Sequence, residues 1–149
     1  MGKKGVCVSY TSKMLMYYGW ADGFLSELGI DDYNSALEEI GNSAKTQNSL
    51  RLFMVPGMGH CSGGPGADTF GQYSRAAADT PSHNIIRALE SWVEQGVAPE
   101  KIIATKYVEN TPKKGVAFTR PLCVYPKVRV YDGKGDINKA SSFECKKGA

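Results

Sequence analysis

Two residues of this sequence have the types and the placement to move a proton together: Asp22 and His60. Asp22 closes the stretch Gly19-Trp-Ala-Asp22, directly after the apolar run Lys13-Met-Leu-Met-Tyr-Tyr18. His60 lies in Gly57-Met-Gly-His60, shortly after a second run, Leu50-Arg-Leu-Phe-Met-Val55. Short continuous apolar runs ended by Gly or Pro-Gly read as strands buried on both faces. In an open α/β sheet the ligand crevice lies at the carboxyl ends of the strands. Neighbouring strands stand about 4.8 Å apart, so loops leaving two of them at one end can bring a carboxylate to an imidazole. A carboxylate bonded to one ring nitrogen fixes the tautomer and stabilises the imidazolium, which leaves the other nitrogen to take a proton from a hydroxyl. On residue types alone, Asp22 could instead close a turn and His60 could donate to a backbone carbonyl.

The neighbouring candidates are weaker. Ser62, in His60-Cys-Ser-Gly-Gly64, resembles part of a nucleophile elbow, but that device needs Gly-x-Ser-x-Gly on a strand-to-helix turn. Position 60 is His, no helix is expected at Ser62, and no serine of the chain fits the pattern. Cys61 is a poor thiol nucleophile for His60, because adjacent residues on an extended loop point apart. His83 reads as a structural residue beside a helix cap, and Asp68 as a turn former rather than a metal ligand. Trp20, two residues before Asp22, could line a pocket for an aromatic group or pack in the core.

The elements that must hold these residues follow from periodicity. Residues 13–18 and 50–55 are strands. Between them Tyr33, Ala36, Leu37 and Ile40 recur at helical spacing, with Asp31 or Asp32 as the expected cap. Glycines 57, 59, 63, 64, 66 and 71 make the following segment a loop. A second helix, capped by Ser82, would carry Ile85, Ile86, Leu89, Trp92 and Val93 on one face and end at Gly96. Short β-like pieces follow at 101–108, 116–119 and 128–131. Strand, helix, strand, helix, strand predicts an α/β fold of parallel strands with right-handed crossovers. Residues 1–12 read as an irregular segment and 13–149 as one unit. So few strands read as the edge of a larger sheet.

Composition narrows the function classes. A chain of 149 residues supports one core, and a net charge of +3 comes from scattered Lys and Arg. No basic face with interleaved aromatics predicts nucleic-acid binding. No apolar run approaches the roughly 18 residues of a membrane span. The first residues lack the apolar stretch of a secretory signal. Cys7, Cys61, Cys123 and Cys145 contain no close pair, so a zinc site is not expected, while free thiols and a disulfide near the C-terminus both stay open.

From Pro56 to Gly71 the chain reads Pro-Gly-Met-Gly-His-Cys-Ser-Gly-Gly-Pro-Gly-Ala-Asp-Thr-Phe-Gly, which closely resembles the tannase and feruloyl esterase family. The similarity extends to Gly19-Trp-Ala-Asp22, Ala88-Leu-Glu-Ser-Trp-Val-Glu-Gln-Gly96, Ala98-Pro-Glu-Lys-Ile-Ile-Ala104, Thr119-Arg-Pro-Leu-Cys123 and Gly133-Lys-Gly-Asp136. The resemblance implies the C-terminal part of an α/β-hydrolase sheet, with the N-terminal half and the lid domain absent. It implies that Asp22 and His60 are triad members of a serine esterase acting on small aromatic-acid esters, in the chain order Ser, Asp, His. It implies that Cys61 pairs with a cysteine directly before the nucleophile, and that Cys123 bonds Cys145. It also implies an exported enzyme and calcium bound in the lid, hence no cofactor in this chain, with the missing half as a possible partner. Tyr18 stands where a His often precedes the Gly-Trp-Ala-Asp stretch, and Cys7 falls outside the similarity. The competing reading is a remnant or binding module without esterase activity.

Overall fold

The computed structural model describes residues 12–148. Cys7 and all but the last residue of the expected irregular segment 1–12 lie outside them. Two strands, β1 (Met14–Gly19) and β2 (Leu50–Val55), pair in parallel from Met14 opposite Leu50 to Gly19 opposite Val55. Between them run helix α1 (Ser26–Ile40) and the short helix α2 (Ser43–Gln47). Parallel pairing requires such a crossover, because a tight turn can join only antiparallel strands.

The strand pleat sorts the core into two clusters. Leu15, Tyr17, Phe53 and Val55 face one side, where they meet Ile85 and Ala88 of helix α3 (Ile85–Gln95) together with Met58 and Phe70. Met14, Met16, Leu50, Leu52 and Met54 face the other, against Tyr33 and Ala36 of α1. Strand β2 is therefore buried on both faces, as continuous apolar runs predict, whereas β1 is only partly buried. No helix among the described residues is long and apolar enough to cross a membrane.

The expected third parallel strand does not form. Strand β3 (Lys101–Tyr107) pairs antiparallel with β4 (Val116–Cys123), and β5 (Lys127–Tyr131) pairs antiparallel with β6 (Phe143–Lys147). The segment between β3 and β4 is too short for a crossover, so the chain folds back. The place beside β2 goes to the residues after β4: Val124 bridges Phe53 in antiparallel sense, and the Tyr125 N–H donates to the Leu52 carbonyl at 2.8 Å. The fold is α/β, but its sheets are mixed. Strand β6 went unpredicted because Phe-Glu-Cys-Lys-Lys shows little apolar periodicity. Cys145 on β6 bonds Cys123 at the end of β4, with Cα atoms 5.6 Å apart, which is the pairing the resemblance implied.

Both helices start at residues other than those expected. Helix α1 begins at Ser26, so Asp31 and Asp32 lie inside it, and it stops where Gly41 turns left-handed at φ 97°. Helix α3 is capped by Asn84, whose Oδ1 accepts the Ile86 N–H at 3.0 Å; Ser82 is not the cap. Its buried face is Ile85, Ala88, Ser91 and Trp92, while Ile86 and Val93 are exposed.

Candidate functional site

The parallel ladder of β1 and β2 continues into the loops that leave it. The Trp20 N–H donates to the Val55 carbonyl and the Ala21 N–H to the Met58 carbonyl, each at 2.9 Å. These bonds run the segment of Asp22 alongside the segment of His60. Only glycine permits the approach: a Cβ on Gly19 would sit 2.3 Å from the carbonyl oxygens of Met58 and Gly59.

Beyond β2 the glycine loop folds on itself. The Gly66 N–H donates to Gly57 at 2.9 Å and the Gly59 N–H to Gly63 at 3.1 Å. His60, Cys61 and Ser62 form a γ-turn, with the Ser62 N–H on the His60 carbonyl at 2.8 Å and Cys61 at φ 61°. A non-glycine residue held there is strained, and the turn projects His60 outward.

The result is a bonded pair. His60 Nδ1 lies 2.7 Å from Asp22 Oδ2. The other carboxylate oxygen, Oδ1, accepts the N–H groups of Phe24 and Leu25 at 3.2 and 3.3 Å, so the carboxylate is fixed by its own backbone before α1 begins. The Asp22 side chain is only 12% exposed, whereas that of His60 is 65% exposed. His60 Nε2 has no hydrogen-bond partner among the described residues. The bond from His60, aided by the Phe24 and Leu25 amides and opposed by burial, holds the Asp22 carboxyl below its ordinary range.

That direction has a consequence for stability. A depressed carboxylate stabilises the fold above its unfolded-state value and loses that contribution as pH falls through the lower folded-state value. Asp22→Asn should therefore show a flatter decline in stability between roughly pH 6 and pH 2 than the parent chain. Urea midpoints measured across that range check it, and identical slopes would contradict it.

A second ionic contact pins the loop from below. Lys106 of β3 directs its ammonium to the Gly64 carbonyl at 2.6 Å and to Asp68 Oδ1 at 3.2 Å, while Asp68 Oδ2 accepts the Gly63 N–H at 2.8 Å. The side chains are 11% and 14% exposed. Asp68, expected as a turn former, is instead half of a nearly buried ion pair. Lys106 was missed by sequence reasoning, although a lysine inside an otherwise apolar strand was a usable signal. Lys106→Met would leave the Asp68 carboxylate covered and without a cation, at an expected cost of about 2–3 kcal/mol, read from denaturant unfolding.

The remaining candidates fall elsewhere. Ser62 occupies the γ-turn with no helix after it, so it is not on an elbow. Cys61 forms no disulfide among the described residues, and its side chain beside Tyr73 pushes that phenol up from its usual range. His83 stays within the turn before α3, with Nδ1 at 2.9 Å from Ser82 Oγ and 3.2 Å from Thr80 Oγ1. Trp20 belongs to neither core cluster; it is 46% exposed and borders a cleft. Among the described residues no three His, Cys, Asp or Glu side chains converge on a point that could hold a metal.

The sequence and fold have clear relatives. The family model described as "Tannase and feruloyl esterase" matches residues 8–146. The chain is 42% identical over 147 residues to an uncharacterized esterase of Xanthomonas campestris pv. campestris, an alignment covering 89% of this chain and 26% of that protein. It is 42% identical over 135 residues to the mono(2-hydroxyethyl) terephthalate hydrolase of Piscinibacter sakaiensis, covering 89% of this chain and 19% of that one. Among solved structures, feruloyl esterase B from Aspergillus oryzae superposes with a TM-score of 0.79 at 31% identity, covering 90% of this chain and 26% of that one. The chain therefore spans about a quarter or less of the length of these relatives. With a family match along nearly its whole length, the chain belongs to the tannase and feruloyl esterase family.

Proposed function

We propose that this chain supplies the acid and base of a carboxylic ester hydrolase that cleaves small esters of aromatic acids, such as feruloyl or galloyl esters. The observation that carries the reading is the 2.7 Å bond between His60 Nδ1 and Asp22 Oδ2, with Nε2 left toward solvent. Family membership supports it. A carboxylate offers no proton, so His60 must donate from Nδ1, which leaves a basic lone pair on Nε2. Nε2 takes the proton of a serine hydroxyl as that oxygen attacks the ester carbonyl. Asp22 stabilises the imidazolium, which then protonates the departing alkoxide. Water repeats the sequence on the acyl-enzyme and releases the acid.

The serine and the oxyanion donors come from residues outside these 149, since no serine here fits Gly-x-Ser-x-Gly. A cysteine beside that serine is the proposed partner of Cys61, which lies next to His60. The Cys123–Cys145 bond supports an oxidising, extracellular location.

The purified chain is expected to turn over neither feruloyl nor galloyl esters. Supplied with a polypeptide carrying Gly-Cys-Ser-x-Gly-Gly and the oxyanion donors, it should gain turnover that His60→Ala removes. Activity of the isolated chain, or reconstituted activity that survives His60→Ala, would overturn the proposal. Persistent inactivity of a correctly assembled pair would instead favour a remnant without chemistry.

A further inference from the structure

A cleft of about 260 Å³ opens at the carboxyl end of β2, between the segment of Trp20 and the turn joining β4 to β5. Trp20, Met54, Pro56 and Tyr125 give it apolar walls, and Lys127 and Arg129 give it positive charge. The two cations are not equivalent. Lys127 places its ammonium 2.8 Å from Glu100 Oε2, a carboxylate it shares with Arg51. Arg129 is half-buried, and among the described residues no carboxylate lies within 4.0 Å of it and no hydrogen bond takes its guanidinium.

A second guanidinium adds to the cost for Arg129. Burial and the neighbouring guanidinium of Arg120 both push its pKa down. Arg120 is itself stacked over the rings of Phe118 and Phe143, at 4.6 and 4.7 Å from their centroids. A cation removed from water without a counter-charge is costly, and an anion entering the cleft would restore the balance. Arg129 presents a planar fork, the geometry that holds a carboxylate through two parallel hydrogen bonds.

The walls are well fixed. Arg129 stands opposite Cys145 in the β5–β6 ladder, and Cys145 is bonded to Cys123, which also borders the cleft. Tyr125 packs edge-on against Tyr33, with centroids 5.4 Å apart. The Trp20 indole, outside both core clusters, offers a flat apolar face. A cleft below the size of a drug pocket, with flat apolar walls and one unmatched fork, suits a single ring bearing one negative group.

We propose that this cleft binds a small aromatic carboxylate, its ring against Trp20 and its carboxylate on Arg129. Binding needs neither the serine nor His60, so it can be tested whether or not the ester chemistry holds. The full chain, labelled with ¹⁵N, is titrated with benzoate, benzamide and inorganic phosphate while the Trp20 indole N–H signal is followed. Benzoate should give a saturable shift; benzamide, which lacks the charge, and phosphate, which lacks the ring, should bind roughly tenfold more weakly or less well still. Arg129→Gln should weaken benzoate by a similar factor and leave benzamide unchanged, while Arg129→Lys, which keeps the charge, should retain part of the affinity. Signal dispersion of each variant reports that it is folded. Absence of a saturable benzoate shift, equal binding of phosphate, or wild-type benzoate affinity in a folded Arg129→Gln would overturn the proposal.

Discussion

Asp22→Asn is expected to lower kcat by about 10⁴-fold in an assembled enzyme that contains this chain and its serine. The substitution keeps the volume and allows the Phe24 and Leu25 contacts to persist, so the loop should hold its shape. What changes is the hydrogen bond at 2.7 Å. An amide can present its NH₂ to His60 Nδ1 and so favour the tautomer with the proton on Nε2, which cannot accept from a hydroxyl. The amide also cannot neutralise the imidazolium that forms in the transition state. His60→Ala removes the base outright and should cost at least as much, and adding Asp22→Asn to it should cost little more, because members of such a unit are not additive. KM should change far less than kcat, since neither group binds the ground-state ester strongly. A loss below tenfold for Asp22→Asn would show that the bond is structural only.

The second large effect concerns the scaffold. Phe53→Ala is expected to cost about 3–5 kcal/mol. Phe53 is fully buried, and its backbone pairs with β1 on one side and bridges Val124 on the other. Its ring belongs to the cluster that joins β2 to α3, β3 and β4. Truncation therefore leaves a cavity bounded by several elements, and no one of them can move in to fill it. Thermal unfolding should fall by about 10 °C or more. Val93→Ala, on the exposed side of α3, is the control, with an expected change within about 0.5 kcal/mol.

These two predictions rest on features of unequal visibility in the sequence. The parallel pair β1–β2 was legible because 13–18 and 50–55 are short apolar runs, each ended by glycine or Pro-Gly. Once the strands are adjacent and parallel, the loops of Asp22 and His60 leave at the same end, so their meeting was legible too. The reversal of β3 was not, because apolar pattern marks a strand but not the direction of its neighbour. It depended on the short link to β4 and on Val124 and Tyr125 taking the place beside β2. Helix starts were misjudged for two reasons: α3 is capped by Asn84 rather than Ser82, and α1 begins at Ser26 with no side-chain cap at all, upstream of Asp31 and Asp32. The Lys106–Asp68 pair and the unmatched Arg129 are contacts between distant segments, which periodicity does not encode.

In the proposed reaction Asp22 fixes His60 as a base by accepting the hydrogen bond from Nδ1. Two-bond ¹⁵N–¹H correlation of the neutral His60 ring tests this without substrate or partner. The expected spectrum shows a protonated Nδ1 and an unprotonated Nε2, a pattern exchanged or lost in Asp22→Asn. A neutral ring carrying its proton on Nε2 in the parent chain would contradict it.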